Sequence, residues 1–560
     1  MADRKPISSN VQILVNGNAI QNIFRNQVAE IIVDQHVHLP DMFSIRLYDP
    51  RKELLDKIAG DPQSPFNLTN KVEIKAANAQ ENKTSLIKGE ITALEPQFNE
   101  GIVPELVVRG YDLSHRLYRE TKSQAFINKK DSDLAEEIAQ KANLSPEVES
   151  THTVYDHIFQ HNQSDLSFLM QRAWRIGFEC FVDDEKLYFR SPSAETPGVT
   201  LKYGEDLLSF YPRMTLAEQV DEVVVKGWDV DKQEAIVGKA QEGNLYPDIK
   251  EEKDGAAWAN GFGKGNLIIV DQPVFSQAEA NTLATARLNE LSGAFVQAEG
   301  VAYRRPELKA GKWIKLEGLG ERFSGKYLVT AVTHVYSPDG LRSHFSVQGA
   351  RTGALLDIAR GDSPMTRWPG VVTGIVTNTD DPKEWGRVKI KFPWMTEDAE
   401  SDWARIVTPG GGPEAGICAI PEVNDEVIVA FEHGDFSRPF ILGGAWNGQH
   451  ALPPPTANAA TGERPLVRTW HSRTGHAITM YDDSDNKVEI KTAGGHTLTM
   501  DDANNKIEIK SSSGLTITLD GSGSNISIES GGNMSLKASG NLDIEASGQL
   551  NLKGATINLN

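Results

Sequence analysis

Three related stretches near the C-terminus determine how residues 475–560 should fold. They read Gly-His-Ala-Ile-Thr-Met from Gly475, Gly-His-Thr-Leu-Thr-Met from Gly495 and Gly-Leu-Thr-Ile-Thr-Leu from Gly514, and their spacing of 20 and 19 residues defines an internal repeat. Each is followed by a second alternating segment across an Asp/Asn-rich or Gly/Ser-rich turn; the first such segment is Lys-Val-Glu-Ile-Lys from Lys487. Strict alternation of apolar and polar residues predicts β-strands with one apolar face.

The repeat shortens to octads after Gly532. Asn-Met-Ser-Leu-Lys-Ala-Ser-Gly ends at Gly540, and Asn-Leu-Asp-Ile-Glu-Ala-Ser-Gly ends at Gly548. The alternation continues through these octads, so one apolar row should run along the whole segment. We predict that this row is formed by Ile478, Met480, Val488, Ile490, Leu498, Met500, Ile507, Ile509, Ile517, Leu519, Ile526, Ile528, Met534, Leu536, Leu542, Ile544, Leu550 and Leu552.

One copy of residues 475–560 has nothing with which to cover this row. The segment offers no second apolar row and no helix, and burial of apolar area is the main stabilising term of a folded chain. Several copies could bury their rows around a shared axis, and three would form a closed prism without free edge strands. We therefore predict a trimeric intertwined β-prism, with an ordinary β-meander or a single-chain β-solenoid as the alternative.

The rest of the chain is predicted to be mainly β with some α. Residues 1–125 read as a first β-barrel, 126–200 as a helical and mixed insertion, and 201–360 as a second barrel with a helical insertion. Residues 370–448 read as a five-stranded barrel of the OB class. Residues 449–474 are a Pro/Ala/Gly-rich linker, and 475–560 are the prism.

Composition excludes several classes of protein. The chain has 560 residues with 77 Asp+Glu against 57 Lys+Arg, a formal charge of −20. This acidity argues against a nucleic-acid or anionic-membrane binder, and residues 371–450 are locally acidic as well, with 13 Asp+Glu and 6 Lys+Arg. Two cysteines exclude a disulfide scaffold, and no apolar window is long enough for a transmembrane helix. We expect folding in the cytoplasm.

Candidate chemical sites are few. His157 and His161 have the spacing of a helical metal pair but lack the Glu of a zincin motif, so packing is the preferred interpretation. His36 and His38 are expected to share one face of a strand. The glycine-rich segments 261–265 and 410–413 lack phosphate-loop geometry and read as turns.

Two further histidines belong to the repeat. His476 and His496 share parity with the apolar row, so a trimer would hold two rings of three imidazoles. The two histidines are candidates for binding an axial ion. The alternative is that they are neutral and simply packed or hydrated. No Ser/His/Asp set and no paired carboxylate stands out, and we predict no catalytic residue, no cofactor and no other metal site.

Four stretches carry a resemblance to a known family. Residues 160–169, Gln-His-Asn-Gln-Ser-Asp-Leu-Ser-Phe-Leu, are similar to a segment of the tail hub proteins of contractile phages, and residues 214–228 and 325–336 resemble the second barrel of those hubs. Residues 374–394, which contain Glu-Trp-Gly-Arg-Val-Lys-Ile-Lys-Phe-Pro-Trp, and 434–443 resemble the baseplate spike barrel. The order of hub barrels, OB barrel, linker and prism resembles VgrG-type spikes of contractile injection systems.

The resemblance implies a structural role. Such spikes are homotrimers that join a hexameric inner tube and baseplate proteins to a membrane-piercing needle. We expect assembly in the cytoplasm, and contact with the target membrane or release from the cell only when the particle fires. A PAAR-type tip protein is expected on Thr556, Ile557, Asn558, Leu559 and Asn560, with effector cargo as a further possible partner.

The alternatives are a glycan-cleaving tailspike or needle enzyme and a trimeric surface adhesin. An enzyme would need an insertion of roughly 100 to 200 residues or a cleft with two placed carboxylates, and an adhesin would need a terminal knob. The sequence displays neither, so a non-enzymatic spike is preferred. A type VI secretion particle and an extracellular phage-like particle both remain open as its setting.

Overall fold

The computed structural model describes residues 11–49, 65–98, 100, 103–192, 196–243, 247–347, 367–396, 398–455 and 465–558. The chain divides into two compact units at Gly444, and each unit is described by itself. In both units β-strands are the main secondary structure, as the sequence predicts. We call residues 11–347 the hub, residues 367–444 the collar and residues 467–529 the C-terminal sheet.

The first part of the hub is a run of alternating strands whose inward residues form one core. Ile13, Phe43, Ile45, Ile74 and Leu106 lie in this core, and each is 4% exposed or less. The elements are β1 Val11–Val15, β2 Asn18–Ala19, α1 Asn22–Arg25, β3 Val28–His36, β4 Met42–Tyr48, β5 Lys71–Ala77, β6 Lys83–Gln97, β7 Glu105–Asp112 and α2 His115–Tyr118.

A mixed insertion follows. It comprises β8 Thr121–Lys130, α3 Asp131–Lys141, β9 Ser145–Val148, β10 Val154–Ser164, α4 Asp165–Ile176, β11 Glu179–Asp183 and β12 Lys186–Arg190. Helix α4 begins where the Oγ of Ser164 accepts the N–H of Ser167, and it ends at Gly177 in the left-handed region. Helix α3 begins at Asp131, where the Asp133 carboxylate accepts the Lys130 N–H at 3.0 Å.

The second part of the hub returns to strands around one long helix. Its elements are β13 Val199–Lys202, β14 Leu207–Met214, β15 Glu222–Asp229, β16 Glu234–Ala240, β17 Asp248–Ile249, α5 Gly255–Ala259, a 3₁₀ turn Asn260–Phe262, β18 Asn266–Ile269, α6 Gln277–Gly293, β19 Val296–Tyr303, β20 Trp313–Glu317, α7 Gly320–Phe323, β21 Gly325–Leu328, β22 Ala331–Ser337 and β23 Gly340–Val347. Helix α6 begins where the Oγ of Ser276 accepts the Glu279 N–H at 3.2 Å, and the Glu279 carboxylate accepts the Phe275 N–H at 2.7 Å.

One eleven-stranded sheet runs through both halves of the hub. Its order is β14-β19-β23-β22-β3-β4-β7-β6-β5-β1-β2. The two halves meet where β22 pairs with β3 in antiparallel register, from Ala331 opposite His36 to Tyr336 opposite Ile31. The two predicted barrels thus share a continuous backbone ladder, which pattern reasoning could not foresee because β3 and β22 lie far apart in sequence.

The collar is a small sheet with an aromatic core. Its strands are β24 Val372–Asn378, β25 Lys389–Lys391, β26 Arg405–Ile406, β27 Gly411–Gly412, β28 Ala415–Gly416, β29 Glu426–Phe431 and β30 Pro439–Gly444, and five of them pair in the order β25-β24-β29-β30-β26. Val376, Ile390 and Phe392 are fully buried. The Arg387 guanidinium and three backbone N–H groups hold the pKa of Asp381 well below its usual value, which stabilises the loop before β25.

The C-terminal sheet is an antiparallel meander of seven five-residue strands. They are β31 Val467–His471, β32 Ala477–Tyr481, β33 Lys487–Lys491, β34 Thr497–Asp501, β35 Lys506–Lys510, β36 Thr516–Asp520 and β37 Asn525–Glu529, paired in chain order. The described residues after Ser530, up to Asn558, belong to no β-ladder within the chain.

Candidate functional site

The candidate site is the apolar face of the C-terminal sheet. Pairing brings the predicted row together in two columns, because Ile478 lies opposite Ile490 and Met480 lies opposite Val488, and each later strand repeats this register. One column is Ile478, Ile490, Leu498, Ile509, Ile517 and Ile528, and the other is Met480, Val488, Met500, Ile507, Leu519 and Ile526.

This face is open within a single chain. Ile478 and Ile490 are each 39% exposed, Ile509 is 51% exposed and Ile526 is 74% exposed. The opposite face carries Thr479, Glu489, Thr499, Glu508, Thr518 and Ser527 in its central column, and these polar residues are buried or half-buried. A sheet that exposes its apolar side more than its polar side needs a partner for the apolar side.

The apolar residues of the octads are exposed as well. Met534, Leu536, Leu542, Ile544, Leu550 and Leu552 are 53 to 63% exposed. Their backbone forms no ladder within the described part of the chain, although the alternation is that of a strand. A strand pattern without a strand partner in its own chain is expected where the partner belongs to another chain.

Repeated turn chemistry holds the sheet in register. The hydroxyl oxygens of Ser472, Thr492 and Ser511 accept the N–H of the fourth residue after each, at 3.0, 3.1 and 3.0 Å. Gly475, Gly495 and Gly514 close these three loops with φ of 102°, 87° and 90°. Only glycine adopts this conformation without strain, which explains the glycine that opens each repeat.

The two repeat histidines tie successive loops together. Nδ1 of His476 accepts the Ala493 N–H at 3.2 Å, and Nδ1 of His496 accepts the Ser512 N–H at 3.2 Å. One ring nitrogen of each histidine is therefore engaged within its own chain. The axial ion stays a prediction that would use the other nitrogen. No group of three or more His, Cys, Asp or Glu residues has metal-site geometry in the described ranges.

The other candidate histidines have structural surroundings. His157 and His161 lie on strand β10, so the helical spacing considered for them is wrong. The preferred packing interpretation agrees with the structure, in which His161 stacks on Phe436 with ring centroids 5.2 Å apart. His36 ends strand β3 and His38 lies in the following turn, where its N–H donates to Nδ1 of His36 at 3.0 Å, so the two do not share a strand face.

Two glycine-rich segments and the predicted tip-binding residues remain. The 3₁₀ turn Asn260–Phe262 covers the start of the glycine-rich segment 261–265, and residues 410–413 lie at a short hairpin, as expected of turns. Thr556, Ile557 and Asn558 are exposed, and Leu559 and Asn560 lie outside the described residues. Among the helices of the described ranges, none combines the length and the apolar character that a membrane crossing requires.

Sequence reasoning missed a buried carboxylate pair in the hub. The Asp112 N–H donates to the Asp41 carbonyl oxygen at 2.9 Å, and both side chains are more than nine-tenths buried. Burial raises the pKa of Asp112 to about 7, and burial together with the Asp112 charge raises that of Asp41 well above its usual value. No sequence pattern signals this pair, because Asp41 precedes β4 and Asp112 ends β7.

Two family models match the chain. The Alg8 N-terminal domain matches residues 7–337, and the type VI secretion system/phage-baseplate injector OB domain matches residues 372–446. The first match spans more than half of the chain, so the chain belongs to the family defined by the Alg8 N-terminal domain. The second confirms an OB-class collar within a mainly β chain.

Curated relatives are VgrG spike proteins. The type VI secretion system spike protein VgrG5 of Pseudomonas aeruginosa is 36% identical over 87 residues, which are 15% of this chain and 11% of that protein. VgrG3 of Vibrio cholerae is 31% identical over 111 residues, which are 19% of this chain and 11% of that protein. The matched segments thus cover about a tenth of these relatives, and they confirm the resemblance to VgrG-type spikes.

Solved structures share the fold over more of the chain. The E. coli protein c3393, described as a type VI secretion component similar to the phage T4 tail proteins gp27 and gp5, has a TM-score of 0.51 at 15% identity, covering 78% of this chain and all of that one. A chain of the Francisella PdpA–VgrG complex has a TM-score of 0.50 at 9% identity, covering 88% of this chain and 78% of that one.

Proposed function

We propose that this protein is the structural hub and spike of a contractile injection system and acts as a homotrimer. The observation that carries the proposal is the open apolar face of the C-terminal sheet, followed by octads whose strands have no ladder in their own chain. The spike names of the curated relatives and the hub-and-collar fold support the same role.

A trimer would both cover the apolar face of the sheet and supply strand partners for the octads. Three apolar faces that meet at an axis remove their side chains from water, at roughly 1.5 to 3 kcal/mol for each fully buried side chain. Three octad segments can pair with one another and satisfy their backbone groups. In this assembly the eighteen residues of the predicted row line the axis of an intertwined β-prism.

The domain roles follow in chain order. Residues 1–125 and 201–360 would form the two hub barrels around the insertion 126–200, so that a trimer presents six similar surfaces to a hexameric inner tube. Residues 370–448 would form the collar, 449–474 the linker and 475–560 the needle. Baseplate proteins would hold the hub, and a PAAR-type tip protein would cover residues 556–560. Effector cargo would be a further partner.

The role requires no catalysis. The relatives named above are spike proteins. A glycan-cleaving enzyme remains the second candidate, and it would release reducing ends from peptidoglycan. The purified protein should release none in an assay where lysozyme is the positive control.

Localisation in assembled particles tests the spike role. With a peptide tag on the N-terminus, gold labelling should mark one end of the inner tube in electron micrographs of uncontracted particles, and contracted particles should have lost the label or carry it ahead of the tube. Labelling along the sheath, or particles of normal number and length without this protein, would refute the role.

A further inference from the structure

A cavity of about 70 Å³ lies inside the first unit, where the hub packs against the collar. Strand β10 and helix α4 form its hub side, and Asp435 and Ser437 form its collar side. The apolar part of this contact is tight, since Phe159 of β10 lies 4.8 Å from Phe436 between ring centroids and belongs to the collar core. We call the contact between β10 and residues 368, 400 and 431–437 the seam.

Two histidines of β10 are buried in the seam. His157 is 8% exposed and His161 is 7% exposed. Nε2 of His157 lies 3.0 Å from the Glu400 carbonyl oxygen, which can only accept, so Nε2 carries the proton and Nδ1 has a free lone pair. Nδ1 of His157 and Nε2 of His161 are both buried without a hydrogen-bond partner among the described residues.

The charged groups around the imidazoles come from both sides. On the hub side Arg172 pairs with Asp131 and Arg175 pairs with Glu279. On the collar side Asp435 faces both histidines, whereas Asp402 and Lys389 face His157. Desolvation lowers the pKa of both histidines, and the nearby acidic residues oppose this without reversing it.

We propose that the seam is a pH-sensitive joint, in which neutral His157 and His161 hold the collar to the hub and their protonation in acid loosens it. A protonated His157 would carry a second N–H at Nδ1, a buried atom without a hydrogen-bond partner among the described residues, in a cavity that Arg172 and Arg175 also line. Burial of an unpaired charge is costly, and opening the seam gives both imidazolium groups to water. This property goes beyond the spike role and does not depend on the number of copies.

The sign of the effect is fixed by the depressed pKa values. An exposed imidazole takes up its proton near pH 6.5, whereas the closed seam resists protonation until a lower pH. The histidines therefore support the closed seam fully above pH 6.5, and this support is lost progressively as the pH falls from 6.5 to the closed-state pKa. At pH 5.0 each histidine can favour the open seam by at most about 30-fold.

Hydrogen–deuterium exchange of the full-length assembled protein at pH 7.5 and pH 5.0 tests the joint. After correction for intrinsic exchange, amides of β10 and of residues 431–437 should lose protection by about 3-fold or more in acid. Amides of the C-terminal sheet, measured in the same sample, should not change. Equal behaviour of the two regions, or no loss at the seam, would overturn the proposal.

Two variants test whether the loss of protection in acid comes from His157 and His161. The double variant His157→Gln/His161→Phe retains a donor for Glu400 and a ring against Phe436, and it should lose less than about 2-fold protection at the seam. The matched control His152→Gln changes an exposed histidine and should behave as the wild type. A double variant that loses as much as the wild type contradicts the proposal.

A third variant keeps the test decisive if the double variant does not fold. Asp435→Asn removes the carboxylate that faces both imidazoles and favours their protonation in the closed seam. The closed seam then resists protonation further, so its loss of protection at pH 5.0 should exceed that of the wild type. An unchanged or smaller loss would overturn the role of the histidines.

Discussion

The left-handed glycines of the repeat are the residues on which the C-terminal sheet depends most directly. Gly495 has φ of 87°, and the neighbouring Gly494 has no positive φ and no atom nearer to an added Cβ than 3.9 Å. Gly495→Ala should therefore lower the stability of the sheet by about 1 kcal/mol per chain, because alanine is strained in this region. The measurement is the midpoint of thermal unfolding, followed by circular dichroism.

Gly494→Ala is the matched control for this prediction. It adds the same methyl group to the same loop at an unstrained position and should leave the midpoint nearly unchanged. Equal destabilisation by the two variants would mean that the loop is not held in the conformation described above.

The buried pair of Asp41 and Asp112 predicts a second effect, on the pH dependence of the hub. The pKa of Asp112 is raised to about 7 by burial, so the folded hub keeps a proton that the unfolded chain releases near pH 4. The stability of the hub therefore falls as the pH rises from about 4 to about 7. Asp112→Asn keeps the oxygen that accepts from Ser114 and should make this fall shallower, with a gain on the order of 2 kcal/mol at pH 8.

Urea unfolding of the hub at pH 5 and pH 8 measures this gain. The control is Asp41→Asn, which removes the other charge of the pair and should act in the same direction. A hub whose urea midpoint depends on pH equally in the wild type and in Asp112→Asn would show that Asp112 is ionised in the folded protein.

At the scale of the elements, the alternating segments were predictable because the side-chain period of a strand is visible in the sequence. The part of the predicted row from Ile478 to Ile528 is found on one face of β32 to β37. The pairing of β3 with β22 and the contact of β10 with the collar were not predictable, because each joins residues that no local pattern connects.

The same limit applies to the histidines. Spacing alone cannot distinguish a helix from a strand in a segment such as 154–164, where polar and apolar residues are mixed. His157 and His161 share a face in either structure, since a separation of four residues suits both periods. Only the strand partner β8 and the collar surface decide what they contact.

The apolar residues of the octads are predicted to face the trimer axis. Ile544 is 60% exposed in one chain and should face the axis in a trimer. Ile544→Asp would then place three carboxylates in an apolar environment and destabilise the distal needle by several kcal/mol. Ser535→Asp adds the same charge at a polar position of the octads and should have little effect. Proteolysis of residues 531–558 with a broad-specificity protease distinguishes the two variants, and similar resistance would place Ile544 outside the axis.

The acidic charge of the whole molecule argues against a nucleic-acid binder. Residues 475–560 contain 11 Asp+Glu and 6 Lys+Arg, so three needles would carry −15 and three whole chains −60. Such a charge opposes association beyond the trimer, and salt screens it over about 8 Å at 0.15 M. In the proposed trimer, apolar burial along the axis must outweigh this repulsion, so the number of copies decides whether the proposed assembly exists.

That number is measured most directly by the molar mass of the full-length protein in solution, by light scattering after size exclusion at 0.15 M salt and pH 7.5. One chain has a mass of 61.5 kDa, so a trimer should give about 185 kDa across the whole peak. A peak of 61.5 kDa that remains constant as the protein concentration is raised would contradict the proposed assembly, because the apolar face and the octads would then be stable without a partner.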